Sequence, residues 1–132
     1  MGLNNCCVQR ATNFSHHIVQ RNWTRVASPH EGFNLKVLHW NILADKLAKN
    51  FPKVPEQFLQ WEYRFEMIKQ HILQVNPDVF GLSELDLPPL YADVVDAFGK
   101  LGYHNYFVPK SNKISGSAIF YKKDLFELVQ QD

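Results

Sequence analysis

"HWNILAD" (residues 39–45) closes an apolar run, "LKVLHWN" (35–41), that leaves no room for a helix before the chain breaks and therefore reads as a buried strand. The stretch poses a question: why does such a strand end on an amide? Asn41 at a strand end is ordinarily turn chemistry, because its side chain bonds nearby backbone and tolerates unusual φ/ψ. A partner elsewhere in the chain would give it a second meaning. Working outward, Pro52 and Pro55 flank a loop, and Pro55 suits the first turn of a helix. Trp61, Phe65, Ile68, Ile72 and Val75 then recur at steps of four, three, four and three, which predicts an amphipathic helix within 56–75, stopped by Asn76-Pro77. "DVFGLSEL" (78–85) reads as a second buried strand, and after Pro88-Pro89 the spacing of Leu90, Val94, Phe98 and Leu101 predicts a helix over 89–101, closed by Gly102. "YHNYFV" (103–108) and "SAIFY" (117–121) read as strands. Lys122-Lys123-Asp124 is expected to turn into a last one, "LFELV" (125–129). The class is α/β and the expected order is β-α-β-α-β-β-β.

That order supplies the partner. Strand–helix–strand units place their two strands parallel, so the strand ending at Asn41 and the one ending near Glu84 finish on the same edge. Ligands in such sheets gather outside the carboxyl ends of the strands. A carboxylate and an amide are hard oxygen donors, and Mg²⁺ is held by one or two carboxylates, with water and substrate phosphate completing its shell. The competing reading makes Glu84 and Asp86 solvated loop acids and Asn41 a turn residue.

Of the 132 residues, 45% are hydrophobic and 20% charged, the composition of an ordinary globular domain. No apolar run approaches the roughly 18 residues that span a bilayer, and no secretory signal opens the chain. Cys6 and Cys7 are the only cysteines; adjacent residues rarely bridge, so a reducing, cytoplasmic location is expected. The net charge is +1, but Arg10, Arg21 and Arg25 lie in an acid-free stretch over 1–30, leaving 11 basic and 13 acidic residues in 31–132. A body this close to neutrality argues against sequence-independent electrostatic attachment to nucleic acid, which needs many cations on one face. Phosphate chemistry here has to be local.

Residues 1–33 lack periodicity and read as a leader or tail, with the packed domain at 34–132. "MGLNNCC" resembles an acylation signal in which Gly2 is myristoylated and Cys6 or Cys7 palmitoylated, although Cys6 stands where Ser or Thr is usual. Two such chains would anchor the protein to a membrane. The same stretch also reads as a mitochondrial transit peptide or a plain disordered tail.

"VLHWNILAD", "QWEYR", "NPDVFGLSELD", "LGYHNYFVPKS" and "GSAIFYKKDLFELV", in this order and at fitting intervals over 35–130, resemble the endonuclease/exonuclease/phosphatase superfamily, and within it the nocturnin and carbon-catabolite-repressor type deadenylases. The resemblance implies the N-terminal half of a four-layer α/β sandwich, two β-sheets flanked by helices. It implies a Mg²⁺-dependent phosphodiesterase acting on RNA 3′ ends, with Glu84 and Asn41 in the catalytic site. Glu84 would be the metal ligand, and Asn41 and Lys110 of "VPKS" would meet substrate phosphate. The family's usual Gln before the glutamate is Ser83 here. The family's Asp-x-Asn element and late Asp-His pair have no counterpart among these 132 residues, whose histidines are His16, His17, His30, His39, His71 and His104. A base or orienter for the attacking water is therefore not supplied. The expectation is a partial domain, inactive alone; the alternatives are a catalytically dead binding module and a phosphatase acting on NADP(H).

Other features read as structure. His39 is expected in the core or at its rim, Tyr103, Tyr106 and Phe107 in the packing, and Glu62, Arg64, Glu66 and Lys69 on a charged helix face. If strands 35–40 and 78–82 were built for burial on both faces, helices at 56–75 and 89–101 would cover only one. Phe80, Ile119 and Phe120 would then lose burial, and the chain would be molten, aggregated or paired with a second copy through the bare sheet face.

Overall fold

Alternation along the strands decides which way this sheet faces. In a computed structural model that describes residues 32, 34–111 and 115–130, β1 (Val37–Asn41) turns Leu38 and Trp40 inward and leaves Val37, His39 and Asn41 exposed. β2 (Val79–Asp86), β3 (Tyr103–Pro109) and β4 (Ser115–Lys122) complete a four-stranded sheet in the order β1-β2-β4-β3. β1 runs parallel to β2, and β4 is antiparallel to both β2 and β3. The carboxyl ends of β1, β2 and β3 therefore share one edge.

Between β1 and β2 lie α1 (Asp45–Ala48), α2 (Glu56–Leu59) and α3 (Trp61–Val75), and α4 (Leu90–Lys100) joins β2 to β3. The apolar stripe of α3 delivers Trp61, Ile68 and Ile72, and α4 delivers Val94 and Phe98, onto Phe80, Leu82, Leu85, Ala118 and Phe120 of the sheet. Phe80 sits at the centre: it stacks on Phe120 at 4.8 Å and meets Phe98 and Tyr103 edge-on at 4.9 and 5.1 Å. The offset-stacked and T-shaped contacts suit the ring quadrupoles. Asn76 ends α3 in the left-handed region (φ 48°), and Gly102 (φ 86°) follows α4, as their residue types favour.

The opposite edge is tied by one carboxylate. Asp78 accepts the Lys36 N–H at 2.9 Å and the Lys122 ammonium at 2.9 Å, joining the lead-in to β1 and the end of β4 to the start of β2. Those bonds, the backbone one first, hold its carboxyl below the ordinary 3.8.

The α/β class and its first four strands stand as expected, with three differences. The helix expected over 56–75 breaks at Gln60 (ψ 135°), where the Leu59 carbonyl is taken by the Arg64 side chain at 2.9 Å instead of by the helix ladder. "LFELV" forms no strand, because β4 already has β2 on one side and β3 on the other, so neither edge is open to a hairpin partner. His39 is exposed on the sheet's outer face, not buried. Gly2, Cys6 and Cys7 lie outside the described residues.

Candidate active site

A β-bulge creates the site. Along β2, Phe80 and Leu82 are fully buried against the helices, and strict alternation would drive Glu84 onto that same apolar face. Pairing with β4 instead slips between Ser83 and Leu85, and Glu84 takes a left-handed conformation (φ 58°). The extra residue returns Leu85 to the apolar core and re-aims Glu84 to the edge beside β1, and Asp86 after it is buried as well.

There it meets Asn41, 43 positions earlier, whose Nδ2 donates to Glu84 Oε1 at 2.7 Å. The Asn41 Oδ1 at the same time accepts the Leu43 N–H at 3.0 Å, an Asx turn. Both meanings of a strand ending on an amide hold together, since one end of the side chain shapes the turn and the other brackets the carboxylate. The next amide, Ala44 N–H, points to Glu84 Oε2 at 3.4 Å, and the one after it, Asp45 N–H, donates to Asp86 Oδ2. Asp86 is buried, and its Oδ1 has no hydrogen-bond partner among the described residues.

Arg64, which sequence reading placed on a solvated charged face, is instead only 11% exposed. Its guanidinium donates to the carbonyls of Ile42 (3.1 Å) and Leu43 (2.7 Å), to Leu59 and to Asp45 Oδ1 at 2.7 Å. A usable signal was its place three residues after Trp61, on the flank of the buried stripe, where it lies 5.5 Å over the indole.

Lys110 stands exposed just past β3 on the same sheet edge. Its N–H bonds Ser115, which pairs with Asp86, so its backbone lies two strand spacings, about 10 Å, from β2. The structure thus joins Asn41 to Glu84 directly and sets Lys110 apart on the shared edge. Among the described residues no three His, Cys, Asp or Glu side chains converge as a metal cluster.

Comparison with known proteins agrees with this architecture. The Endonuclease/Exonuclease/phosphatase family matches residues 38–132. Nocturnin of Drosophila melanogaster is 37% identical over 123 residues, covering 83% of this chain and 19% of the relative. CCR4-NOT transcription complex subunit 6-like-B of Xenopus laevis is 31% identical over 107 residues, covering 72% and 20%. The crystal structure of ANGEL2, a 2′,3′-cyclic phosphatase, in complex with adenosine-2′,3′-vanadate superposes with a TM-score of 0.72 at 26% identity, over 86% of this chain and 33% of that one. The chain therefore spans about a fifth of the length of the curated relatives it matches. With the family match extending from β1 to the last residue, this chain belongs to the endonuclease/exonuclease/phosphatase family.

Proposed function

We propose that residues 34–132 carry the cation-binding part of a Mg²⁺-dependent phosphodiesterase of deadenylase or nocturnin type, which hydrolyses phosphodiesters at RNA 3′ ends. The observation that carries this is Glu84, turned out of the apolar face by a bulge and bracketed by Asn41 at the joint carboxyl end of two parallel strands. The donor set fits a hard cation. A carboxylate offers about four acceptor positions, and among the described residues Asn41 and Ala44 take two, leaving two for Mg²⁺. Bound there, the cation supplies charge neutralisation at a phosphate and a polarised water. Asn41 orients the carboxylate, and Lys110 on the same edge is the point charge for a neighbouring phosphate. The base for the attacking water comes from outside residues 34–132, so this segment does not turn over substrate by itself.

The test uses the longest translation product containing residues 34–132, with oligo(A) ending in 3′-hydroxyl or 2′,3′-cyclic phosphate, and NADP(H), as separate substrates. Mg²⁺-dependent removal of 3′ adenylates is expected, with Glu84→Gln lowering it by about 10²-fold or more. Hydrolysis that survives Glu84→Gln, or binding of all three substrates without turnover, overturns the proposal. Turnover of the cyclic phosphate alone would favour the ANGEL2-like reading, which rests on the superposition with that phosphatase.

A further inference from the structure

The turn that delivers Asn41 to Glu84 is not held by the Asn41 side chain alone. Leu43 adopts φ 61°, a conformation that L side chains other than Asn and Asp avoid, and no glycine is present to relieve it. What compensates is Arg64. From α3 it reaches across 21 positions to the carbonyls of Leu43 and its neighbour Ile42, while its second arm grips Asp45 on the far side of the turn. With the carbonyls drawn towards the guanidinium, the three successive N–H groups of Leu43, Ala44 and Asp45 are directed at Asn41, Glu84 and Asp86. Among the described residues two donors reach the Glu84 carboxylate: Ala44 N–H is one, and the other, Asn41, is fixed by the same turn.

We propose that Arg64 is a positioning residue for Glu84: its planar fork holds the 42–45 turn in the one conformation that aims the carboxylate at a divalent cation. The proposal rests on the assignment of Glu84 as cation ligand. A lysine cannot replace Arg64, since a point charge on a flexible stem cannot serve two carbonyls and a carboxylate in one plane.

The experiment measures Mn²⁺ affinity of the 132-residue chain by the spectroscopic signal of free Mn²⁺, with amide hydrogen exchange read on the same samples. Arg64→Lys is expected to weaken Mn²⁺ binding by about 10-fold or more. It should also speed exchange at Leu43, Ala44 and Asp45 while leaving Phe80 and Phe120 protected. Glu84→Gln is the control that separates two failures. If it binds Mn²⁺ as the wild type does, the assignment of Glu84 is wrong. If it loses Mn²⁺ while Arg64→Lys keeps wild-type affinity, the positioning role is wrong. Should Arg64→Lys not fold, the wild type still decides: binding and turn order are reciprocally linked, so saturating Mg²⁺ must slow exchange at residues 43–45. Unchanged exchange there overturns the proposal without any variant.

Discussion

Asn41 and Glu84 make unequal contributions. Glu84 brings the charge, whereas Asn41 brings one hydrogen bond to that charge and one to the turn. On the proposed assignment, removing the charged ligand would abolish cation binding, whereas removing its bracket would leave the charge in place but less well aimed. Asn41→Ala is therefore expected to weaken Mn²⁺ binding by about 10-fold, where Glu84→Gln eliminates it. Because Asn41 lies on the exposed face, losing its hydrogen bonds should cost only about 1 kcal/mol of stability, read as a small shift in the urea midpoint. Equal loss of binding in the two variants would mean that Asn41 itself ligates the ion. Both residues could be placed from the sequence because β-α-β units bring parallel strand ends together. The bulge could not be read from the same alternation, although the conflict it resolves was visible: Phe80, Leu82 and Glu84 share a period of two, and a carboxylate that followed two buried apolar side chains onto the helix face would be desolvated among apolar groups at high cost.

Among the elements, the β3–β4 pair is tightly constrained at one glycine. Gly116 lies where β4 passes under Phe107, and a Cβ there would come within 2.6 Å of the Phe107 ring and closer still to the Val108 carbonyl. Backbone cannot yield as a flexible side chain can, so Gly116→Ala should destabilise the fold by about 1–3 kcal/mol in thermal or denaturant unfolding. At the other end of the sheet, Asp78 ties β2 to Lys36 and Lys122. Its carboxyl is held below the ordinary 3.8, first by the Lys36 N–H and then by Lys122. A depressed folded value means that this stabilisation is complete above the ordinary carboxylate range and is lost as pH falls through it. Between about pH 5 and about pH 3, urea midpoints of the wild type should fall more steeply than those of Asp78→Asn; parallel slopes would show that the tie is inert. The strands and α3 were legible because their periodicities are strong. The break at Gln60 and the missing strand at 125–129 were not, because both depend on who already occupies a bonding position: Arg64 on the Leu59 carbonyl, and β2 and β3 on the two edges of β4.

Across the whole sheet the two faces differ sharply. On the helix side, Phe80, Leu82, Ala118 and Phe120 are at most 1% exposed, so the expectation that Phe80 and Phe120 would lie bare is corrected: they point the other way. On the outer side the strand register lines up three rows. Val37, Val79, Tyr121 and His104 form one, His39, Gly81, Ile119 and Tyr106 the next, and Asn41, Ser83, Ser117 and Val108 the row nearest the site. Val37 is 65% exposed, and Ile119 and Val108 are each 52% exposed. This face turns from polar at the edge that holds Asn41 to apolar and aromatic away from it, with Ile119 flanked by Gly81 and Tyr106 near its middle. Full burial of one such side chain is worth about 1.5–3 kcal/mol, and Val37, Ile119 and Val108 are each a third to a half covered already, so the burial they forgo is about a few kcal/mol, at the low end of a typical total stability of about 5–15 kcal/mol. The 132-residue polypeptide is thus expected to fold and to self-associate through the outer face rather than to be molten. Sedimentation across a wide concentration range should show its average mass rising above 15.4 kDa, while Ile119→Asp stays at that value. Hydrogen exchange should keep the Phe80 and Leu82 amides protected in both proteins. Loss of that protection would show that the helix-side core cannot stand without a cover on the other face, and a wild type that remains monomeric would show that Ile119 and its row do not drive association.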